Sequence, residues 1–350
     1  MEHLDAIVIG MGPGGETVAD RLLSAGRRVA VVERDLVGGE CAYWACVPTK
    51  TLLRSPEVRA EAAGAAGVGE AALEWPELRS YRDQMIRHLD DSQQAEGYEE
   101  RGALVLRGDA RVVGRDPWRV AVGTSEYTAD HVVVATGSGV LVPPIEGLEQ
   151  LGPDVLWTNR EATTLTEIPR TALVVGGSAV GVELGQFLAR VGTRVTVVQR
   201  GPRLLDREEP RLCELISDQF ERDGTTVHLS SQVNSVSRDG DGVLAVLSGG
   251  ERVRADVMVL ATGRVPRGTS SDWPNSESSR SAAPCRSTTT AGSPPACGRS
   301  GTSRPGRCSP TWPSTRAVWS ARTSSATTGG PTTPASPGWS SPTRRSPPWG

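Results

Sequence analysis

The chain has 350 residues, with 38 basic against 41 acidic side chains and a formal net charge of −3. That length holds two or three domains. The near-balance of charge argues against a polyanionic partner such as nucleic acid, and no apolar run is long enough to cross a membrane.

The acidic N-terminus runs almost at once into a strand-like stretch, LDAIVIG, which is unlike a secretory signal. The expected setting is the thiol-reducing cytoplasm. There a close cysteine pair points to metal or redox chemistry rather than to a structural staple. Residues Ala6–Asp35 read as strand, tight glycine turn, helix and second strand. Gly10, Gly12 and Gly15 give the GxGxxG spacing, with Pro13 and Gly14 inside it. Gly10 permits the tight turn, Gly12 lets the backbone approach a pyrophosphate, and Gly15 lets helix and strand pack closely. The helix N-terminus then offers free N–H groups to phosphates. Val18, Ala19, Leu22 and Leu23 fall on one helical face, and Gly26 ends the helix. Glu33 closes the second strand, at the spacing of a carboxylate that accepts ribose hydroxyls. The whole pattern predicts a dinucleotide site.

GGECAYWACVPTK follows, from Gly38 to Lys50. Of the six cysteines (Cys41, Cys46, Cys213, Cys285, Cys297 and Cys308) only Cys41 and Cys46 are close neighbours. A zinc site needs four ligands, usually in two pairs, and no second pair exists, so no metal site is expected. A helix is predicted through KTLLRSPEVRAEAA, broken or kinked at Pro56. A cysteine at the N-terminus of such a helix has its thiolate stabilised by the dipole. Lys50 is the only lysine in a chain that otherwise writes arginine for every cation. An ammonium is a compact charge and a guanidinium a planar, larger one. One ammonium beside paired thiols therefore points to a specific electrostatic task.

Pro76–Arg101 reads as one long polar helix carrying a surface His88, followed by strand-like ALVLRGDARVV and WRVAVG. Thr171–Arg200 then repeats the strand, glycine turn, helix, strand pattern, with Gly176, Ser178 and Gly181 at the glycine positions. Serine in the middle position must tolerate the close approach of phosphate. The second strand ends in Gln199 and Arg200, with Arg203 nearby, so no acid stands at the ribose position. Without a carboxylate there is no repulsion of a 2′-phosphate, and the arginines offer it partners, which favours NADPH over NADH. The same arginines also read as solvated surface residues. His228, in TTVHLSS, reads as a structural strand residue.

Two dinucleotide patterns with a cysteine pair between them, together with ATGS at Ala135–Ser138, ATGRVP at Ala261–Pro266 and RGDAR around Gly108–Ala110, resemble the flavoprotein pyridine nucleotide–disulfide oxidoreductases. This is the family of dihydrolipoamide dehydrogenase, the glutathione and mycothione reductases and mercuric reductase. The resemblance covers residues 1 to about 267. It implies an α/β chain of two Rossmann-like domains, an FAD domain over 1–149 and an NAD(P) domain over 150–267 inserted into it. FAD would be held by Gly10, Gly12, Pro13, Gly14, Gly15, Glu33, Gly39, Ala110, Thr136 and Gly137. NAD(P)H would be held by Gly176, Ser178, Gly181, Gln199, Arg200 and Gly263. Hydride would pass to flavin and electrons onward to a Cys41–Cys46 disulfide, then to a small or protein-bound disulfide substrate. Cys46 would face the flavin and Cys41 would attack the substrate. Lys50 would sit at the flavin ring edge, paired with Glu183. Tyr43 and Trp44 depart from the smaller or amide residues common between the two cysteines, and either shape substrate access or only pack.

After Arg267 the composition changes. From Gly268 to Gly350 there is no Leu, Ile, Met, Phe, Tyr or Lys, and Val318 is the only large aliphatic residue. Such a segment cannot bury enough apolar surface to fold and is expected to be a disordered tail over 268–350. Reading the same stretch with the frame shifted by one base allows family-like text. LWAVGDV is permitted across Cys297–Ser303, and FTHVAKYQGRVV across Ser309–Ser320. The expectation is a frameshift near Arg267 that removes the last FAD strand and the dimerisation domain. Members of the family are homodimers through that domain, which also brings a catalytic His–Glu pair to the partner. The alternative is a nucleotide-binding fragment that is catalytically dead or acts only as a diaphorase.

Overall fold

A computed structural model describes residues 3–69 and 71–268. The expected disordered tail lies outside the described residues, apart from its first residue.

The chain opens with β1 (His3–Ile9), α1 (Pro13–Ser24) and β2 (Val29–Glu33). α2 (Gly39–Tyr43) and α3 (Cys46–Ala63) carry the two cysteines, and α4 (Trp75–Met85) and α5 (Ser92–Glu100) follow. β3 (Leu104–Arg107), β4 (Ala110–Gly114), β5 (Trp118–Val122) and β6 (Ser125–Val134) complete a 6-stranded sheet in the order β3-β2-β1-β6-β5-β4. β3, β2, β1 and β6 run parallel, while β5 and β4 form an antiparallel extension. Every residue of β2 (VAVVE) is buried, as expected where helices cover both faces of a parallel sheet.

A short strand β7 (Ser138–Val140) leads out of this sheet. β8 (Leu156–Trp157), α6 (Asn159–Thr164), β9 (Thr171–Val175), α7 (Ala179–Arg190), β10 (Arg194–Val198), α8 (Pro210–Arg222) and β11 (Thr226–His228) come next. After them the antiparallel strands β12 (Val233–Asp239), β13 (Gly242–Leu247) and β14 (Arg252–Ala255) precede β15 (Val257–Leu260). The second sheet is 5-stranded and all parallel, in the order β11-β10-β9-β15-β8. β16 (Arg264–Pro266) then pairs antiparallel with β7. The chain thus leaves the first sheet and returns toward it through two strands lying side by side, which is how one α/β unit sits inserted in another.

One apolar cluster joins the two sheets' helices. Leu52 of α3 and Leu78 of α4 are buried with Val182, Leu184, Phe187 and Leu188 of α7 and with Val174 and Val197 of the second sheet. Arg82 of α4, only 1% exposed, reinforces the seam. Its guanidinium donates to the carbonyls of Thr163 and Leu165 at the end of α6 and pairs with Asp83.

Two sequence expectations change. The polar stretch after Pro76 is two helices, not one, because Arg87, His88 and Leu89 take left-handed φ values of 52°, 52° and 61°. Asp90 Oδ1 then accepts from Ser92 N (2.9 Å), a local bond that competes with helix continuation. His88 is exposed in that turn. Pro56 does not end its helix: α3 continues through it to Ala63, with the ring buried. No helix among the described residues is long and apolar enough to cross a membrane.

Candidate functional site

The glycine turn between β1 and α1 is built by backbone contact. Gly10 has φ +95°, and a Cβ there would sit 2.5 Å from the Ala135 carbonyl oxygen. A Cβ on Gly15 would sit 1.9 Å from the Gly10 oxygen. Gly39, at φ +61°, brings the start of α2 against the turn, where a Cβ would meet Gly12 Cα at 2.6 Å. Gly12 caps α1 with extended backbone and Pro13 occupies its first turn. The amides of Gly14 and Gly15 then lack an intrahelical acceptor. Glu33 is almost fully buried, and its carboxylate accepts from Met11 N (2.8 Å) and Asp35 N (2.9 Å). It therefore braces the glycine turn, while still lining the cavity above it.

The second glycine turn repeats this construction. Gly176 has φ +107°, and a Cβ there would sit 2.3 Å from the Ala261 oxygen, while a Cβ on Gly181 would sit 1.9 Å from the Gly176 oxygen. Gln199 Oε1 accepts from Gly177 N (2.9 Å), matching the brace made by Glu33. Ser178 Oγ donates to the Ala261 carbonyl (2.8 Å), so the hydroxymethyl is tied to the end of β15. Arg200 and Arg203 are exposed and pair with no carboxylate among the described residues. Ser178 and Gly263 line a small cavity of about 140 Å³, whereas Gly176, Gly181, Gln199 and Arg200 are not on its wall.

The main cavity, about 800 Å³, brings together Gly10, Gly12, Pro13, Gly14, Glu33, Gly39, Cys41, Cys46, Lys50, Ala110, Thr136, Gly137 and Glu183. Asn159, Ala179, Val180 and Arg264 lie on the walls of both cavities, so the two meet across the first turn of α7. Lys50 Nζ donates to both carboxylate oxygens of Glu183, at 2.6 and 2.5 Å. α3 and α7 supply the two partners, and their apolar faces pack at the seam described above.

Both cysteines are free thiols, Cys41 half-buried and Cys46 exposed as the first residue of α3. Burial and the adjoining Cys46 thiol push Cys41 up to about 12. In the reduced protein Cys41 is therefore a protonated thiol at neutral pH, and only the thiolate is nucleophilic. Its alkylation by iodoacetamide is expected to rise about tenfold per pH unit from pH 7 to 10. A rate that levels off below pH 9 would show that the thiolate is already formed there.

Tyr43 and Trp44 are 1% and 7% exposed, and of the two only Trp44 lies on the wall of the main cavity. Tyr43 donates to the Val37 carbonyl (3.1 Å). The Arg160 guanidinium lies 3.8 Å over the Trp44 ring. Sequence reasoning missed Glu40, the residue before Cys41. Its carboxylate accepts from Asn159, Arg160, Arg264 and Arg267. The available signal was the acid itself, the only carboxylate in the motif, set between the glycine pair and a cysteine.

The donor set fits a dinucleotide. A Cβ on Gly137 (φ +68°) would meet no atom within 4 Å, leaving the cavity open beside the free amides of α1. The family model described as pyridine nucleotide-disulphide oxidoreductase matches residues 4–274. A Streptomyces lividans protein named mercuric reductase is 38% identical over 271 residues, covering 74% of this chain and 56% of the relative. A Chlorobaculum tepidum dihydrolipoyl dehydrogenase is 34% identical, covering 75% and 57%. Among solved structures, LpdA from Mycobacterium tuberculosis superposes with a TM-score of 0.67 at 26% identity, covering 75% of this chain and 60% of that one. The HOCl-induced flavoprotein disulfide reductase RclA from Escherichia coli gives 0.65 at 25% identity, covering 75% and 57%. The chain thus spans about half the length of the curated relatives it matches. With the family match over most of its length, two glycine turns and a thiol pair in the cavity of the first, the chain belongs to the pyridine nucleotide-disulphide oxidoreductase family.

Proposed function

We propose that the chain is the nucleotide- and thiol-bearing part of an FAD-dependent NAD(P)H:disulfide oxidoreductase. The observation that carries this reading is the Cys41–Cys46 pair, set in the same cavity as the glycine turn of α1 and the Lys50–Glu183 ion pair. FAD, held along Gly10–Gly15, Glu33, Gly39, Ala110, Thr136 and Gly137, would relay an electron pair from NAD(P)H to the disulfide. The sum is NAD(P)H plus a proton plus the disulfide, giving NAD(P)+ and two thiols. Gly176, Ser178, Gly181, Gln199 and Gly263 would seat the pyridine nucleotide, and the exposed Arg200 favours NADPH. Cys46 and Lys50 are four residues apart and share one face of α3. Glu183 holds the ammonium against that face, where it supplies positive charge to the cavity beside Cys46. Cys41 would exchange with a small or protein-bound disulfide. The full-length protein would act as a cytoplasmic homodimer.

The composition switch at Arg267 and the end of the family match at residue 274 support a frameshift near that codon. Sequencing the gene across it tests this: an intact frame encoding the tail as written ends the idea. A second reading has its own support. Cys41 is held protonated. The chain as it stands would then pass electrons from NAD(P)H to small acceptors without turning over the thiols.

The test is to purify the full chain, reconstitute it with FAD and add NAD(P)H without oxygen. Yellow protein that bleaches and gains two titratable thiols supports the first reading. Bleaching with no change in thiol count supports the second. Protein that stays colourless sinks both.

A further inference from the structure

Glu40 sits between the glycine pair and Cys41, on the second residue of α2. Its side chain is 21% exposed and is met from two other parts of the chain. From α6, Asn159 Nδ2 donates to Oε2 (3.2 Å), and Arg160 donates to Oε1 through Nε (3.3 Å) and Nη2 (3.1 Å). From the returning connection, Arg264 Nη2 donates to Oε2 (3.2 Å) and Arg267 Nη2 to Oε1 (3.4 Å). Burial works to raise the Glu40 carboxyl, but Arg264, Asn159 and Arg160 together hold it below the usual carboxylate range. The acid therefore stays ionised at neutral pH.

The same two α6 residues grip the chain between the cysteines. Asn159 Nδ2 also donates to the Trp44 carbonyl (2.7 Å), and Thr163 Oγ1 donates to it as well (3.3 Å). Arg160 stacks on the Trp44 indole and reaches Asp35 Oδ2 at 2.9 Å. α6 is itself fixed at its start by a capping box between Thr158 and Glu161. Arg264 is tied to the outgoing connection, donating to Ser138 Oγ (2.8 Å) and to the Ser138 carbonyl (2.7 Å). Segment 40–44 is thus bound to both crossings between the two α/β units.

We propose that Glu40 is a positioning residue. By gathering Arg160, Arg264, Arg267 and Asn159 it locks the Cys41 side of the thiol pair to the connections of the pyridine nucleotide unit, and so keeps Cys41 within bonding reach of Cys46. This rests on the reading of Cys41–Cys46 as a redox pair. Two thiols form an intramolecular disulfide in proportion to the effective concentration their backbone imposes. Releasing Glu40 leaves Trp44 as the one remaining tie of segment 40–44 to α6, with Tyr43 still held to the Val37 carbonyl within the first unit, and lowers that concentration.

The experiment equilibrates the full chain with glutathione redox buffers, traps the thiols and reads the dithiol fraction by mass. Glu40→Gln keeps the shape and removes the charge. It is expected to shift the equilibrium at least tenfold toward dithiol, about 30 mV for a two-electron couple. Arg160→Gln changes the local charge in the opposite sense but loosens the same clamp, so it is expected to shift in the same direction. The double variant should shift no more than the larger single, because both act on one unit. Opposite shifts would make this a charge effect and overturn positioning, as would additive shifts or no shift. If Glu40→Gln lowers the melting point so far that it does not fold, Arg160→Lys decides. It keeps the charge and loses the planar fork, and must shift toward dithiol for the proposal to stand. A wild-type chain that never forms the reversible bond overturns the redox reading itself. A wild-type chain that forms it, with both variants titrating identically, overturns only the role of Glu40.

Discussion

Cys41→Ser and Cys46→Ser are each expected to abolish NAD(P)H-dependent disulfide reduction, by at least about a thousandfold, while transfer from NAD(P)H to a small dye acceptor changes by no more than about threefold. A disulfide stores two electrons only as a bond between two sulfurs, so either substitution removes the store completely. Neither removes the dinucleotide turns, because Gly10, Gly15, Gly176 and Gly181 are fixed by contacts with backbone and β-carbon rather than with sulfur. The two variants should still differ. Cys46 is the exposed first residue of α3, and Cys41 is half-buried with its thiol pushed up to about 12. Cys41→Ser leaves the exposed thiol, which alkylates readily. Cys46→Ser leaves the buried one, which loses a neighbouring thiol that contributed to its upward shift and so becomes easier to ionise. Anaerobic assays with a disulfide and with a dye, run side by side, check the first claim. Equal loss of both activities would mean that the cysteines support the fold rather than the reaction.

The parts of the site legible in the sequence are those fixed by local backbone demands. Gly10 and Gly176 need positive φ, and Gly15 and Gly181 leave no room for a Cβ, so glycine is forced at short, regular spacing. A repeated pattern of that kind survives in one dimension. The placement of Lys50 against Glu183 was also expected, but through resemblance. Their 133-residue separation cannot be read from spacing. Glu33 and Gln199 were assigned by position at a strand end. The structure adds that both brace the glycine turn through a backbone amide, a bond invisible to sequence because it depends on where the turn lies over the sheet.

What was not legible depends on assembly of distant segments. Glu40 gains its meaning from Asn159 and Arg160, 119 and 120 residues away, and from Arg264 and Arg267, 224 and 227 away. The surroundings of Tyr43 and Trp44 are likewise set by the fold: the Val37 carbonyl for one, and Arg160, Asn159 and the cavity wall for the other. Pro56 carries the signature of a break or kink, and the helix does not break there. A proline removes one helical bond, and α3 outlasts that loss with apolar contacts made by Leu52 and Leu53 on the seam. The break after Met85 is signalled in the sequence only by Asp90, Asp91 and Ser92, within a largely polar stretch. Asp91 is occupied elsewhere, accepting from Val37 N (2.5 Å) and Arg107 Nη1 (2.6 Å).

Gly15→Ala and Gly12→Ala are expected to fail in different ways, although both lie in one short turn. At Gly15 the added carbon would stand 1.9 Å from the Gly10 carbonyl oxygen and 3.5 Å from the Ala135 side chain. Neither neighbour is the flexible end of a side chain, so α1 must move off β1. Gly15 is buried in α1 beside Val18 and Ala19, which pack on Val8, Val29 and Val31. Displacing the helix disrupts that cluster, at a cost of about 3 kcal/mol, the top of the usual range for overpacking. In urea the midpoint should fall steeply, and no yellow protein should be recovered. At Gly12 the backbone is extended, at φ −79° and ψ −175°, which alanine adopts freely. The new carbon would meet only Gly39 Cα, at 3.9 Å, an ordinary contact. The fold should therefore survive, with the melting point within about 4 °C of wild type. What the methyl takes is space at the edge of the cavity, where backbone must approach a pyrophosphate. FAD affinity should drop by about a hundredfold or more, and ADP, which presents the same phosphates without the isoalloxazine, should weaken in parallel. An ADP affinity left unchanged in Gly12→Ala would place the phosphates elsewhere and remove the glycine turn of α1 from the cofactor site.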